Sequence, residues 1–206
     1  MSAPLIHLNS RAVHLPDTNI DTDIIFPARF LLLMDRVGLG KHAFADWRSA
    51  DFPLDSAPWK GASVLVVGEN FGSGSSREQA VWCLADLGVR CVIGRSFGEI
   101  FFSNCFKSGV LPIRLTAEEI APVEAAAKAG EEIEIDVAAQ EIRLPSGAVI
   151  GFDLDAHRKR MLLEGLDDIG LVLEDHSEEI AAFEKARPRW LELSRARLAT
   201  LTGSGA

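Results

Sequence analysis

The stretch that most limits what this chain can fold into is Val64-Leu65-Val66-Val67-Gly68-Glu69-Asn70-Phe71-Gly72-Ser73-Gly74-Ser75-Ser76-Arg77-Glu78. An apolar run typical of a strand buried on both faces stops at a glycine and opens into a loop with two more. The loop then delivers two serines and an arginine to an amphipathic segment, 77–87, with apolar residues at helical spacing. Gly72 and Gly74 permit a tight turn and a close approach of backbone to ligand. Ser75 with Glu78, and Ser76 with Gln79, both have capping-box spacing, so either serine is a candidate helix start. The unpaired amides of a first helical turn, with the helix dipole, make an anion site. Arg77 adds a planar fork for a carboxylate or phosphate.

The segments on either side set the fold class. Strand 62–67 and helix 77–87, closed by Gly88, are followed by a β-rich run at 89–94. A second helix over 99–107 stops at Gly109, and a third strand spans 110–115. Strands and helices alternating at this spacing imply right-handed crossovers and parallel pairing. Upstream, 5–15 contains two short alternating runs that read as a pair of strands. Asp17-Thr18-Asn19-Ile20-Asp21-Thr22-Asp23 is a dense turn signal. Pro27 opens a segment over 28–34, Gly38 and Gly40 interrupt it, 41–47 reads as a short helix, and 51–58 as a loop. Downstream, Thr116-Ala117-Glu118-Glu119 is a capping box for a helix to Lys128, with a kink expected at Pro122 and a stop at Gly130. Runs at 132–137, 141–144 and 148–152 read as a meander, with Pro145-Ser146-Gly147 as a hairpin turn. Segments 157–165 and 178–197 are helical by period, the second broken at Pro188, with 202–206 frayed; Asp167-Asp168 reads as a turn and cap. The organisation expected is one α/β domain over 1–156 with a helical C-terminal extension over 157–206 packed on it.

Composition excludes several function classes. A net charge of -9, with no block of Lys and Arg, argues against nucleic-acid binding. No apolar stretch approaches the ~18 residues of a membrane span. Met1-Ser2-Ala3-Pro4 lacks the basic start of a secretory leader. Cys83, Cys91 and Cys105 are odd in number and widely spaced, which suits a reducing, cytoplasmic setting and core packing. Their spacing matches no zinc or iron-sulfur pattern, and His7, His14, His42, His157 and His176 show no ligand spacing, so no metal site within this chain is expected.

The glycine loop also fails the nucleotide patterns. A P-loop needs a lysine that is absent, and the dinucleotide fingerprint needs a glycine where Arg77 stands. A plain strand-to-helix turn with a serine cap stays open on chemistry alone, as does a non-catalytic anion-binding module. Gly94-Arg95-Ser96-Phe97-Gly98 matches a nucleophile elbow, with Asp153, Asp155 and His157 downstream in the order of an esterase triad. No oxyanion loop of the His-Gly-Gly type precedes it.

Asp21-Thr22-Asp23-Ile24-Ile25-Phe26-Pro27-Ala28-Arg29-Phe30-Leu31 and Gly72-Ser73-Gly74-Ser75-Ser76-Arg77-Glu78, in this order and spacing, resemble the swivelling domain of the aconitase superfamily. Within it, the resemblance is to the small subunits of the isopropylmalate dehydratase family, and it runs from about residue 5 to 184. It also takes in 38–47, Ser96-Phe97-Gly98-Glu99-Ile100-Phe101-Phe102-Ser103-Asn104 and Leu163-Glu164-Gly165-Leu166-Asp167-Asp168-Ile169-Gly170. It implies a β/β/α swivelling domain that completes an active site on an iron-sulfur large subunit, whose cysteines hold the [4Fe-4S] cluster. The reaction implied is isomerisation of a small dicarboxylic hydroxy acid by dehydration and rehydration.

The residue roles implied are specific. Ser75 is the base that removes the C–H proton next to a carboxylate, with the Ser76 amide and the helix start stabilising its alkoxide. Ser76 as the cap would leave Ser75 free for that work. Arg77 clamps a substrate carboxylate. Asp23 tunes a histidine of the partner that handles the leaving hydroxyl, and Arg29 is a second substrate arginine. Leu32 faces the variable end of the substrate, where relatives acting on an extra carboxylate place an arginine. An apolar side chain there favours an isopropyl group, although these leucines also read as core. The family's usual histidine after Ser-Ser-Arg-Glu is Gln79 here, a departure compatible with a paralogue acting on citraconate or dimethylmaleate.

Overall fold

Residues Val64–Val67 form a strand, β2, that is buried at every position, which places it inside the sheet rather than at an edge. The computed structural model describes residues 2–33, 35–49 and 51–186, which fall in two units, Met1–Asp167 and Asp168–Ala206. The first unit is built on a seven-stranded sheet. Its strands are β1 (His7–Leu15), β2, β3 (Cys91–Gly94), β4 (Leu111–Arg114), β5 (Glu132–Asp136), β6 (Glu141–Arg143) and β7 (Val149–Gly151), in the order β4-β3-β2-β1-β5-β6-β7. Strands β1 to β4 run parallel, with Leu65 opposite Val13 on one side and Val92 on the other. The meander β5-β6-β7 is antiparallel, and its last turn closes with the Leu144 N–H donating to the Ala148 carbonyl at 2.9 Å.

The pair of strands expected over 5–15 is a single strand of nine residues. Its two halves have different neighbours. Ala12 to Leu15 pair with β2, whereas His7 to Arg11 pair antiparallel with β5. Burial follows the pairing, exposed at one end and buried at the other, and that change of pattern is what reads as two strands.

Helices cover the parallel half. Between the strands run α2 (Glu78–Leu87) and α3 (Glu99–Lys107), the former ended by Gly88 in the left-handed conformation. Ala80, Val81, Cys83 and Leu84 are the buried face of α2, and a side chain such as Leu84 gains about 1.5–3 kcal/mol from leaving water. The helix α4 (Ala117–Ala129) starts with the full Thr116–Glu119 capping box, runs through Pro122 and stops at Gly130. Pro122 lies on the exposed face of the helix, as does Glu118, whose carbonyl the proline leaves without a donor. A further helix, α5 (Ala156–Glu164), belongs to this unit.

Upstream, the segments expected over 28–34 and 41–47 shrink to single 3-10 turns, Ala28–Phe30 and Gly40–His42; another, Pro53–Asp55, lies within the expected loop. A four-residue helix, α1 (Thr22–Ile25), replaces part of the expected turn. The second unit contains α6 (Asp168–Asp175) and α7 (Ser177–Lys185). Asp168 therefore opens a helix, with Ile169, Leu171 and Val172 at helical spacing behind it. Pro188 and 202–206 lie outside the described residues. Among the described residues, no helix is long and apolar enough to cross a membrane.

Candidate active site

Because β1 and β2 are parallel neighbours, the chain leaves both at the same edge of the sheet, the edge where ligands bind in open α/β folds. The two exits lie side by side. The Asn19 N–H donates to the Glu69 carbonyl (2.8 Å), Gly72 N–H to Ile20 (2.7 Å) and Thr22 N–H to Ser73 (2.9 Å). Asn19 and Asn70, both in the left-handed region, join through their side-chain amides at 2.7 Å. Gly68 makes this approach possible, since a Cβ there would overlap the carbonyl of Asp17. From the other side, Phe71 N–H donates to Ser96 at 3.2 Å and Gly98 N–H to Phe71 at 2.9 Å. At Gly72, φ is +70° and a Cβ would run into the ring of Phe101, which meets Phe71 edge-to-face at 5.3 Å. The loop is thus held on two flanks and from beneath.

Neither serine caps the helix. The N-cap of α2 is Arg77, in extended conformation and without a side-chain cap bond. A γ-like turn, in which the Arg77 N–H donates to the Ser75 carbonyl at 2.8 Å, sets the helix start one or two residues later than either capping box requires. Ser75 and Ser76 are exposed, and the N–H groups of Ser76, Glu78 and Gln79 find no acceptor among the described residues. What a cap would have consumed stays open to an anion.

Asp23 reaches this place from the other loop. Its Oδ1 accepts from Arg77 Nη1, with Arg77 mostly buried at 20% side-chain exposure and Asp23 half exposed at 50%. Asp21 does something different: it caps α1, its carboxylate accepting the Ile24 N–H at 2.8 Å. Ser75, Ser76, Arg77 and Asp23 are therefore assembled around one helix start.

Arg29 and Leu32 are not joined to that group by any contact. Arg29 is held bidentately by Asp46, at 2.9 and 2.6 Å, and lies 4.6 Å over the Phe30 ring, which stacks on His42 at 4.1 Å. The hydrogen bond raises the pKa of Arg29 and lowers that of Asp46. His42 is lowered, first by partial desolvation, then by Lys41 and Arg29. Leu32 is 91% exposed, so it is not core. The sequence reading missed Asp46, 17 residues beyond Arg29 with no motif linking them, and Thr22, a buried hydroxyl between two more conspicuous carboxylates.

The esterase elements do not form a triad. Ser96 Oγ accepts the Asn70 N–H at 2.8 Å and so braces the loop. It lines a groove of about 650 Å³ with Arg95, Arg114, Glu119 and Asp153, but the lining contains no histidine, and Asp155 caps α5. The cysteines do not fit a cluster either. Cys83, Cys91 and Cys105 face the core from α2, β3 and α3, and burial pushes all three thiols far up. Among the described residues, no group of His, Cys, Asp and Glu is placed to hold a metal ion.

Comparison with known proteins places this architecture. Residues 3–118 match the family model of the aconitase C-terminal domain, and 123–156 match that of LeuD_N. The 3-isopropylmalate dehydratase small subunit of Rhodospirillum rubrum is 46% identical, covering 92% of this chain and 97% of its own. That of Parvibaculum lavamentivorans is 48% identical, covering 86% and 92%. The crystal structure of the 3-isopropylmalate dehydratase (leuD) of Methanocaldococcus jannaschii superposes with a TM-score of 0.67 at 30% identity, over 88% of this chain and all of that one. A chain with this sheet, this pair of loops and these relatives belongs to the 3-isopropylmalate dehydratase small-subunit family of the aconitase superfamily.

Proposed function

We propose that the chain is the small subunit of a 3-isopropylmalate dehydratase, interconverting 2-isopropylmalate and 3-isopropylmalate through 2-isopropylmaleate in leucine biosynthesis. It is active only with an iron-sulfur large subunit, which carries the [4Fe-4S] cluster. The reading is supported most directly by one arrangement: an uncapped helix start with Ser75 exposed above it and Arg77 paired to Asp23 beside it.

Each residue has a task in that reaction. Ser75 takes the proton from the carbon next to a carboxylate. A serine hydroxyl is too weak an acid to ionise unaided, and the free amides of Ser76, Glu78 and Gln79 offset the charge. Arg77 binds a substrate carboxylate, with Asp23 holding one of its nitrogens and leaving the outer part of the fork to the ligand. Asp23 faces the partner, where it orients the histidine that handles the leaving hydroxyl. Arg29 closes on the second carboxylate after exchanging Asp46 for substrate, and Leu32 gives the isopropyl group an apolar neighbour. The work is done in the cytoplasm.

The test is reconstitution. The chain is mixed with a purified large subunit of a 3-isopropylmalate dehydratase, and formation of 2-isopropylmaleate is followed. A substrate panel of isopropylmalate, citraconate, dimethylmaleate and homoaconitate runs alongside. Turnover of isopropylmalate with the highest kcat/KM is expected. Activity confined to citraconate or dimethylmaleate, or ligand binding by the chain without turnover in any mixture, overturns the proposal.

A further inference from the structure

Thr22 is hydrogen-bonded to the loop that carries the candidate base. The residue is only 2% exposed, and Oγ1 donates to the Ser75 carbonyl at 3.1 Å. Its own N–H donates to the Ser73 carbonyl at 2.9 Å, and Asp21 and Ser73 form a parallel bridge beside it. One residue thus fixes two carbonyls of the loop that are two residues apart, on either side of Gly74. That glycine sits at φ +94°, with the position of its missing Cβ 3.5 Å from Thr22 Oγ1.

The consequence follows from the planarity of the peptide. The Ser75 carbonyl and the Ser76 N–H belong to one trans unit and point in opposite directions. Turning the carbonyl toward Thr22 therefore turns the Ser76 N–H away from it, on the loop whose Ser75 and Ser76 are exposed. The carbonyl already accepts the Arg77 N–H at 2.8 Å, so the Thr22 hydroxyl is a second donor on the same oxygen. A carbonyl that accepts two hydrogen bonds is polarised, and polarisation makes the N–H across the same peptide a stronger donor.

We infer that Thr22 is a positioning residue: through the Ser75 carbonyl it aims and strengthens the Ser76 amide that stabilises the charge on Ser75. The inference rests on Ser75 being the base. It assigns the middle residue of Asp21-Thr22-Asp23 a task of its own, between the helix cap at Asp21 and the ion pair at Asp23.

Three variants in the complex reconstituted with the large subunit test this. Thr22→Val keeps the shape and removes the donor, and is expected to lower kcat by roughly 10- to 100-fold with KM within about twofold. The limb of the pH-rate profile that reports ionisation of the base moves to higher pH. Thr22→Ser keeps the hydroxyl and is expected to restore kcat to within about threefold, with the limb back in place. A Thr22→Val enzyme with unchanged kcat and pH profile overturns the inference. So does a Thr22→Ser enzyme as slow as the valine variant, because a hydroxyl at this position would then not be enough to aim the Ser76 amide. Should the valine variant not fold, the serine variant decides alone: loss of tenfold or more in kcat sinks the idea. Ser75→Ala separates the two levels. If it stays active, the base assignment fails and this inference with it; if it is inactive while Thr22→Val is normal, only the role of Thr22 fails.

Discussion

Two of the segments that carry candidate site residues are held in different ways. The loop 68–77 is stitched by backbone hydrogen bonds to 19–22 on one side and 96–98 on the other, over the aromatic rings of Phe71 and Phe101. The segment 28–33 has a 3-10 turn, an exposed ion pair between Arg29 and Asp46, and a leucine almost wholly in water. Backbone bonds between flanks of a sheet survive in the free chain, whereas exposed ion pairs contribute little and are screened by salt. On the proposed function, the first segment is preorganised before any partner arrives, and the second is the one left for substrate and the large subunit to complete.

The largest effects are expected where preorganisation is greatest. Ser75→Ala is expected to lower kcat in the reconstituted complex by roughly 10³-fold, within the range for loss of a positioned general base, while leaving the melting temperature unchanged. Arg77→Lys keeps the charge and loses the fork, so KM should rise together with a loss of kcat. Gly72→Ala attacks the scaffold instead. It puts a methyl group into the Phe101 ring at a backbone angle of +70°, and a loss of about 2–4 kcal/mol is expected in urea unfolding of the free chain. Full stability in Gly72→Ala would show that the loop is as loose as the segment 28–33.

Legibility in the sequence divides along the same line. The parallel core was readable because β2, β3 and α2 announce themselves by continuous apolar runs, helical spacing and Gly88. The meander was readable from alternation and the Pro145-Ser146-Gly147 turn. The helix itself, read as 77–87, was legible, but its cap was not: capping-box spacing is a local signal, and two of the hydrogen bonds that shape Ser73 to Arg77 come from Thr22, some fifty residues away. The same reason hides the joint of β1, whose halves differ in which strand lies beside them and, as a result, in burial. Asp23 was a candidate by resemblance alone, and its pairing with Arg77 was not legible, since it depends on how two loops exit one sheet.

Intermediate effects belong to the looser segment. Leu32→Arg, at a position 91% exposed, should leave folding untouched and lower kcat/KM for isopropylmalate by roughly 10- to 100-fold. Activity on a substrate with a further carboxylate should rise in the same variant, read from the substrate panel. If neither ratio moves, Leu32 lies away from the substrate. Asp46→Asn removes the competitor for Arg29, so KM is expected to fall by a few-fold with kcat nearly constant, and Arg29→Gln should raise KM.

The smallest effect tests whether the Arg29–Asp46 pair exists in the free chain at all. The pair holds the Asp46 carboxyl below its usual range, chiefly through the hydrogen bond from Arg29. Its contribution is therefore present above the unfolded carboxylate pKa of about 3.9 and disappears as pH falls through the lower folded value. In Arg29→Gln that depression is lost, and the Asp46 carboxyl, followed by carbon-detected NMR titration, is expected to titrate at higher pH than in the parent. His42 should move up as well, by less, because Arg29 ranks behind desolvation and Lys41 among the causes that lower it. An Asp46 titration unaffected by Arg29→Gln would mean that the guanidinium is already free in solution. Arg29 would then be as ready for substrate as Arg77, and the contrast between a preformed loop and a waiting one would reduce to Leu32.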